Sequence, residues 1–125
     1  VIYGAEGCPH CAAAKKHLPE WFGDENVEFR EVVSNRDYAT QFLRIYQALG
    51  LGNLGVPLIV IFAGGTPRAV VIGFAANRDL WLAIVDEALG SEGLPVLAMV
   101  SESEARFRPV TRLRPRGPRR RRPPP

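Results

Sequence analysis

Two cysteines separated by two residues carry the strongest chemical signal in the sequence, and they stand in the tetrapeptide Cys8-Pro9-His10-Cys11. Thiols at this spacing at the start of a helix can close a small disulfide ring with little movement of the backbone. The unpaired N–H groups and the dipole of a helix N-terminus favour the thiolate, which is the form that attacks disulfides. We therefore expect Cys8 to be the nucleophile and Cys11, one turn further along, to be the resolving thiol.

A metal centre and a purely structural disulfide are the alternatives for this motif. A zinc or iron–sulfur site needs about four ligands, and the candidates are Cys8, Cys11, His10 and His17, with His10 facing away from the cysteines on either side of it. A disulfide across so short a loop stabilises a fold little. Redox exchange is favoured, and no metal or cofactor beyond the redox-active disulfide is predicted.

Pro9 and His10 are assigned to the catalytic group together with the two cysteines. Proline suits the first helical position, because its missing N–H group costs nothing there. An imidazole at His10 can stabilise a Cys8 thiolate and so make the disulfide more oxidising. A solvent-exposed loop position with a modest effect is the open alternative for His10, and His17 is expected on a helix surface.

The elements that must position the motif alternate along the first 90 residues. An apolar strand at Val1 to Tyr3 precedes it, and a helix follows it to Leu18, where Pro19 is expected to end or kink the helix. Further on, the patterning predicts a strand at 27–33, a helix at 36–49, a hairpin at 58–74 and a helix at 78–89 capped by Asn77. The order β-α-β-α-β-β-α predicts the fold class α/β, with a four-stranded mixed sheet and helices on both faces.

Charge divides the chain into two parts whose balances have opposite sign. Residues 1–100 hold seven Lys and Arg against eleven Asp and Glu, whereas residues 101–125 hold nine Arg against two Glu. Seven of the eleven prolines also follow residue 90. We expect a domain at 1–90 and a disordered, Pro/Arg-rich tail at 91–125.

This division excludes a large basic nucleic-acid-binding surface on the domain. Contact of the tail with anionic lipid or other acidic surfaces is expected to be electrostatic, and contact with nucleic acid to be non-specific. The competing interpretation is a dispensable tail. No apolar run reaches the ~18–20 residues that a membrane helix needs.

The sequence starts at Val1, inside an apolar run, which suggests that a segment has been removed upstream. A cytoplasmic location is predicted, because two cysteines in a reactive motif fit a reducing compartment. An extracytoplasmic domain that has lost an N-terminal signal or anchor is the alternative.

Three features follow one another in a fixed order: the strand that leads to the Cys8 motif, the pair Val56-Pro57 that opens an apolar strand, and the pair Ile72-Gly73 before a polar turn and a helix. In this order and spacing, residues 1 to about 90 resemble the thioredoxin superfamily, and within it the glutaredoxin-like members. The resemblance implies the thioredoxin fold and a cis Val56-Pro57 peptide bond that lies against the Cys8 loop.

The resemblance also implies the substrate-binding residues, which are Val56, Pro57, Gly73 and Phe74. The backbone at Val56 would pair with an extended substrate strand or with glutathione, and Phe74 would line an apolar groove beside Pro57. The implied partners are protein disulfides and a thiol or reductase that donates electrons, and the chain is expected to act as a monomer.

Several positions depart from the pattern of the superfamily. Ile2 stands where thioredoxins keep a buried carboxylate, and Phe74 and Asn77 replace a glycine and an acid that grip glutathione in glutaredoxins. Ala5-Glu6 stands where many glutaredoxins carry a basic residue. Weak glutathione binding is therefore expected.

Two functions from different classes follow from these observations. The leading interpretation is a thiol–disulfide oxidoreductase that uses the couple of Cys8 and Cys11 on protein or small-molecule disulfides. The alternative is a thioredoxin-like binding module with a basic tethering tail and little redox turnover. The presence of both cysteines favours the enzyme.

Overall fold

The structure is a computed structural model that describes residues 1–50, 55–90, 94–99 and 107–113, the last two ranges by their backbone alone. Its elements, in chain order, are β1 (Ile2–Gly4), α1 (Pro9–Phe22), β2 (Phe29–Glu31), α2 (Arg36–Leu49), β3 (Leu58–Ala63), β4 (Thr66–Ile72), α3 (Arg78–Gly90), β5 (Leu94–Met99) and β6 (Phe107–Leu113). A short 3₁₀ turn, Asp24–Asn26, joins α1 to β2.

The strands form one sheet in the order β2-β1-β3-β4-β5-β6. β1 runs parallel to β2 across the α1 connection, and β3 is antiparallel to both β1 and β4. Within residues 1–90 this is the α/β arrangement of four mixed strands and three helices that the sequence predicts. β3 is central among these four strands, as its unbroken apolar run indicated.

Two further strands lie in the region that the sequence analysis assigned to a disordered tail. β5 pairs in parallel with β4, and β6 pairs antiparallel with β5. The Pro and Arg content of 91–125 as a whole concealed the apolar stretch of β5, which offers backbone partners to the open edge of β4. The arginine run Arg119–Arg122 lies outside the described residues, so the predicted contacts of the tail stay predictions.

Each face of the sheet is covered by its own apolar layer. Ile59 of β3 packs with residues of α1 and α3, whereas its neighbours Leu58 and Val60 pack with residues of α2. This alternation is the period of two that a strand imposes on its side chains. The helices lie on both faces of the sheet, as predicted.

Helix α1 runs four residues beyond the predicted end, through Pro19 to Phe22. A proline inside a helix costs about 3 kcal/mol, because it removes one backbone hydrogen bond and crowds the preceding turn. Leu18 and the residues Trp21 and Phe22 pack in the layer between α1, α3 and the sheet, which offsets that cost. Within the described ranges, no helix combines the length and the apolar character needed to cross a membrane.

The pairing of β5 with β4 predicts that a chain ending at Gly90 is less stable than a chain ending at Leu113. The shorter chain should lose about 2 kcal/mol or more in its free energy of unfolding, since each lost backbone hydrogen bond contributes about 0.5–1.5 kcal/mol. Urea unfolding followed by tryptophan fluorescence measures the difference. Equal stability of the two chains would instead support the division into a domain and a dispensable tail.

Candidate active site

The cysteine motif occupies the first turn of α1, just beyond the end of β1. Cys8 is the N-cap residue with an extended backbone (φ −85°, ψ 118°), and Pro9 is the first helical residue. The Cys8 Sγ atom accepts a hydrogen bond from the Cys11 N–H group at 3.3 Å. The thiol of Cys8 therefore takes the place of a side-chain cap, and its sulfur faces the positive end of the helix dipole.

The two thiols have unequal access to solvent. Cys8 is partly exposed, whereas Cys11 is buried with 1% of its surface exposed. Burial, reinforced by a hydrogen bond with Cys8, raises the pKa of Cys11 to about 12, although a backbone hydrogen bond with Ala5 opposes the shift. The expected roles of an accessible nucleophile and a sequestered resolving thiol fit this asymmetry.

The absence of a side chain at Gly4 lets Cys11 lie against the backbone of β1. A Cβ atom built on Gly4 would stand 3.1 Å from Cys11 Sγ and 2.9 Å from Cε2 of Phe29. The ammonium group of Lys15 lies 4.8 Å from the centre of the Phe29 ring. This close approach depends on residues far apart in the chain, so no local sequence pattern predicts it.

Three of the four predicted substrate-binding residues meet at the edge of the sheet where β1 ends. Tyr3 of β1 is opposite Leu58, and Leu58 is opposite Ile72, so Pro57 and Gly73 lie at the level of the Cys8 loop. The Val56-Pro57 peptide bond is cis, as predicted. The Gly73 N–H group donates a 2.9 Å hydrogen bond to the carbonyl oxygen of Pro57.

The fourth residue, Phe74, does not line a surface groove with its side chain. Gly73 adopts a positive φ of 92°, and the chain then places Phe74 in the apolar layer, 2% exposed. Its ring stacks on Trp81 at 5.5 Å and on Trp21 at 6.1 Å. The prediction of a groove-lining role is wrong for this side chain, because burying the ring between α1 and α3 removes far more apolar surface from water.

The two histidines of α1 occupy different surroundings. His10 is exposed in the first turn beside Cys8, and its proposed influence on the thiolate stays a prediction. His17 was expected on the helix surface, but its ring is only 30% exposed and stacks on Trp21 at 5.3 Å. Its Nδ1 atom lies 3.6 Å from a carboxylate oxygen of Glu20. His17 is therefore partly a packing residue.

The interior around Cys11 is apolar. Ile2 is 1% exposed where thioredoxins keep a carboxylate, and none of the buried residues described with side chains carries a charge. In the same part of the chain, no three Cys, His, Asp or Glu side chains are grouped to hold a metal ion. The buried residues described here therefore include no carboxylate that could accept the Cys11 proton.

No family model, curated protein or solved structure is significantly similar to this chain. The functional argument consequently depends on the geometry of the site itself.

A cavity within the described residues lies away from the motif. It has a volume of about 460 Å³ and is lined mainly by apolar side chains, among them Leu18, Phe22, Ile61 and Val85. None of the predicted catalytic or substrate-binding residues lines it.

The difference in access predicts selective alkylation of the reduced protein. Iodoacetamide near neutral pH should modify Cys8 at least about tenfold faster than Cys11, because reaction requires an accessible thiolate. Peptide mapping by mass spectrometry gives the two rates, and Cys8→Ser serves as the control that removes the fast phase. Equal rates, or faster modification of Cys11, would contradict the assignment.

The burial of Cys11 predicts a raised thiol pKa and, with it, a stability that depends on pH. Both can be measured for Cys11 alone in a Cys8→Ser variant. The remaining thiol should ionise well above its ordinary pKa of 9.0 in the folded protein and near that value in urea. The folded state holds the Cys11 proton more tightly than the unfolded state does. The contribution of this thiol to the free energy of unfolding is therefore complete below pH 9 and declines as the pH rises towards 12. Ultraviolet thiolate absorbance in both states measures this, and a folded-state titration near 9 contradicts it.

Proposed function

We propose that this protein is a thiol–disulfide oxidoreductase with a thioredoxin-like fold, in which Cys8 is the nucleophile and Cys11 the resolving thiol. The observation that carries the proposal is the cap of α1, where the partly exposed Cys8 Sγ accepts the Cys11 N–H group and the Cys11 thiol is buried one turn away. The strand order β2-β1-β3-β4 and the position of Pro57 at the level of the Cys8 loop are compatible with this proposal.

The reaction in the reducing direction has two exchange steps. The Cys8 thiolate attacks one sulfur of a substrate disulfide, which breaks that bond and releases the other substrate sulfur as a thiolate. The Cys11 sulfur then attacks Cys8 Sγ, forms the Cys8–Cys11 disulfide and releases the second substrate thiol. The substrate gains two electrons, the protein dithiol loses two, and an external thiol or reductase restores the dithiol.

The apolar surroundings of Cys11 determine where its proton goes in the second step. No buried carboxylate is present among the described side chains to accept it. The departing substrate sulfur, which becomes a thiolate as its bond to Cys8 breaks, can then accept the proton. Resolution and release of the substrate are therefore coupled, and the mixed disulfide is expected to be long-lived at neutral pH.

We propose protein disulfides, rather than glutathione, as the substrates. The loop before Cys8 carries Ala5 and the exposed Glu6, and the ring of Phe74 is buried in the core. These positions offer a tripeptide with two carboxylates no cationic contact. The backbone edge at Val56 instead suits an extended polypeptide.

A variant lacking the resolving thiol tests the mechanism. Cys11→Ser should accumulate mixed disulfides with an oxidised protein substrate through Cys8, because the second exchange step is blocked. Non-reducing gels and mass spectrometry identify the trapped species, and Cys8→Ser is the matched control that should trap none. Trapping through Cys11, or no turnover of any disulfide by the unaltered protein, would contradict the proposal and favour a binding module.

The direction of electron flow follows from the reduction potential of the dithiol. Equilibration of the protein in buffers of reduced and oxidised glutathione gives this potential. Values near about −270 mV are typical of reductants and values near about −120 mV of disulfide-forming oxidants.

A further inference from the structure

A buried tyrosine of α2 holds the segment that leads into Val56-Pro57. The hydroxyl group of Tyr46 donates a hydrogen bond to the carbonyl oxygen of Gly55 at 2.6 Å. The hydroxyl oxygen of Tyr46 in turn accepts a hydrogen bond from the Gly55 N–H group at 2.9 Å. One side chain thus satisfies both backbone groups of a single residue.

The position of this hydroxyl group is fixed by the packing of the helix that carries it. Tyr46 is 1% exposed, and its ring meets the ring of Phe42 edge to face at 4.9 Å. Burial also raises the pKa of Tyr46, so the phenol keeps its proton and remains a hydrogen-bond donor. The packing of Tyr46 on helix α2 therefore fixes the position of the hydroxyl group that contacts Gly55.

The segment from Gly55 to Pro57 is held at both ends. Tyr46 binds Gly55 at one end, and the Gly73 N–H group binds the carbonyl oxygen of Pro57 at the other. Val56 lies between the two, half-buried, and neither of its backbone groups has a hydrogen-bond partner within the described ranges. Because both neighbouring residues are held, the backbone of Val56 has a fixed position, and this stretch of backbone is called the Val56 edge.

We propose that Tyr46 is a positioning residue for extended polypeptide substrates, because its hydroxyl group fixes the Val56 backbone with which such a substrate pairs. The inference rests on the proposed oxidoreductase function. It assigns Tyr46 no part in the exchange between sulfur atoms. A small disulfide reaches Cys8 without using the Val56 edge, so Tyr46 should affect the binding of polypeptides alone.

A Tyr46→Phe variant tests the assignment, because it removes both hydrogen bonds and keeps the ring that packs against Phe42. With a protein disulfide as substrate, KM should rise by about tenfold while kcat stays unchanged. The rates with 5,5′-dithiobis(2-nitrobenzoic acid), a small aromatic disulfide, and of Cys8 alkylation should equal those of the unaltered protein. A general loss of packing would lower these rates as well.

Tyr3→Phe is the matched control. The Tyr3 hydroxyl is also held by two hydrogen bonds on the α2 side of the sheet, with Gln41 at 3.0 Å and Arg30 at 2.8 Å, but it does not contact Gly55. This variant should lose stability without raising KM for the protein disulfide. Hydrogen exchange at the Gly55 amide should accelerate in Tyr46→Phe and remain unchanged in Tyr3→Phe.

The results of these experiments distinguish the role of Tyr46 from the oxidoreductase function on which that role rests. An unaltered protein that reduces neither the protein disulfide nor the small disulfide overturns both. An active unaltered protein with the same KM in Tyr46→Phe, or an equal rise of KM in Tyr3→Phe, overturns only the role of Tyr46. A rise of KM confined to Tyr46→Phe and to the protein substrate supports it.

Discussion

The contact of Cys11 with the backbone of β1 is the constraint on which the site depends. Because Gly4 has no side chain, the first turn of α1 can settle against the strand, and the Cys11 sulfur becomes part of the core. The turn that buries Cys11 leaves Cys8 at the cap, where its sulfur faces the N–H group of Cys11. One close approach between helix and strand therefore makes two chemically identical side chains different.

The central strand β3 joins this contact to the rest of the molecule. Its alternate side chains belong to two separate apolar layers, so α1 and α3 are stabilised by one set of residues and α2 by another. The segment before β3 is bound from both directions, by Tyr46 of α2 and by Gly73 after β4. The cysteines and the Val56 edge are thus positioned by different layers that share one strand.

Local patterns were sufficient to predict the parts of this arrangement that local chemistry determines. Proline after a cysteine indicated the start of α1, Asn77 indicated the cap of α3, and the apolar run at 58–62 indicated the central strand. The same reasoning failed where distant residues decide the outcome. Helix α1 continues through Pro19 because Trp21 and Phe22 pack against the core. Phe74 is buried because Trp21 of α1 and Trp81 of α3 stack on its ring. The bond between Tyr46 and Gly55 and the pairing of β5 with β4 had no signal in any short window of sequence.

The ring of Phe29 lies where it can report on the state of the two thiols. It lies at Gly4 together with Cys11 Sγ, and the Lys15 ammonium group stands 4.8 Å from its centre. Formation of a bond between the two cysteines draws the Cys11 sulfur towards Cys8, which alters the van der Waals environment of the ring edge. The ring is half-buried and belongs to a strand of the sheet. The domain accordingly contains a native spectroscopic reporter, whose aromatic proton resonances register the oxidation state of the thiols without an attached label.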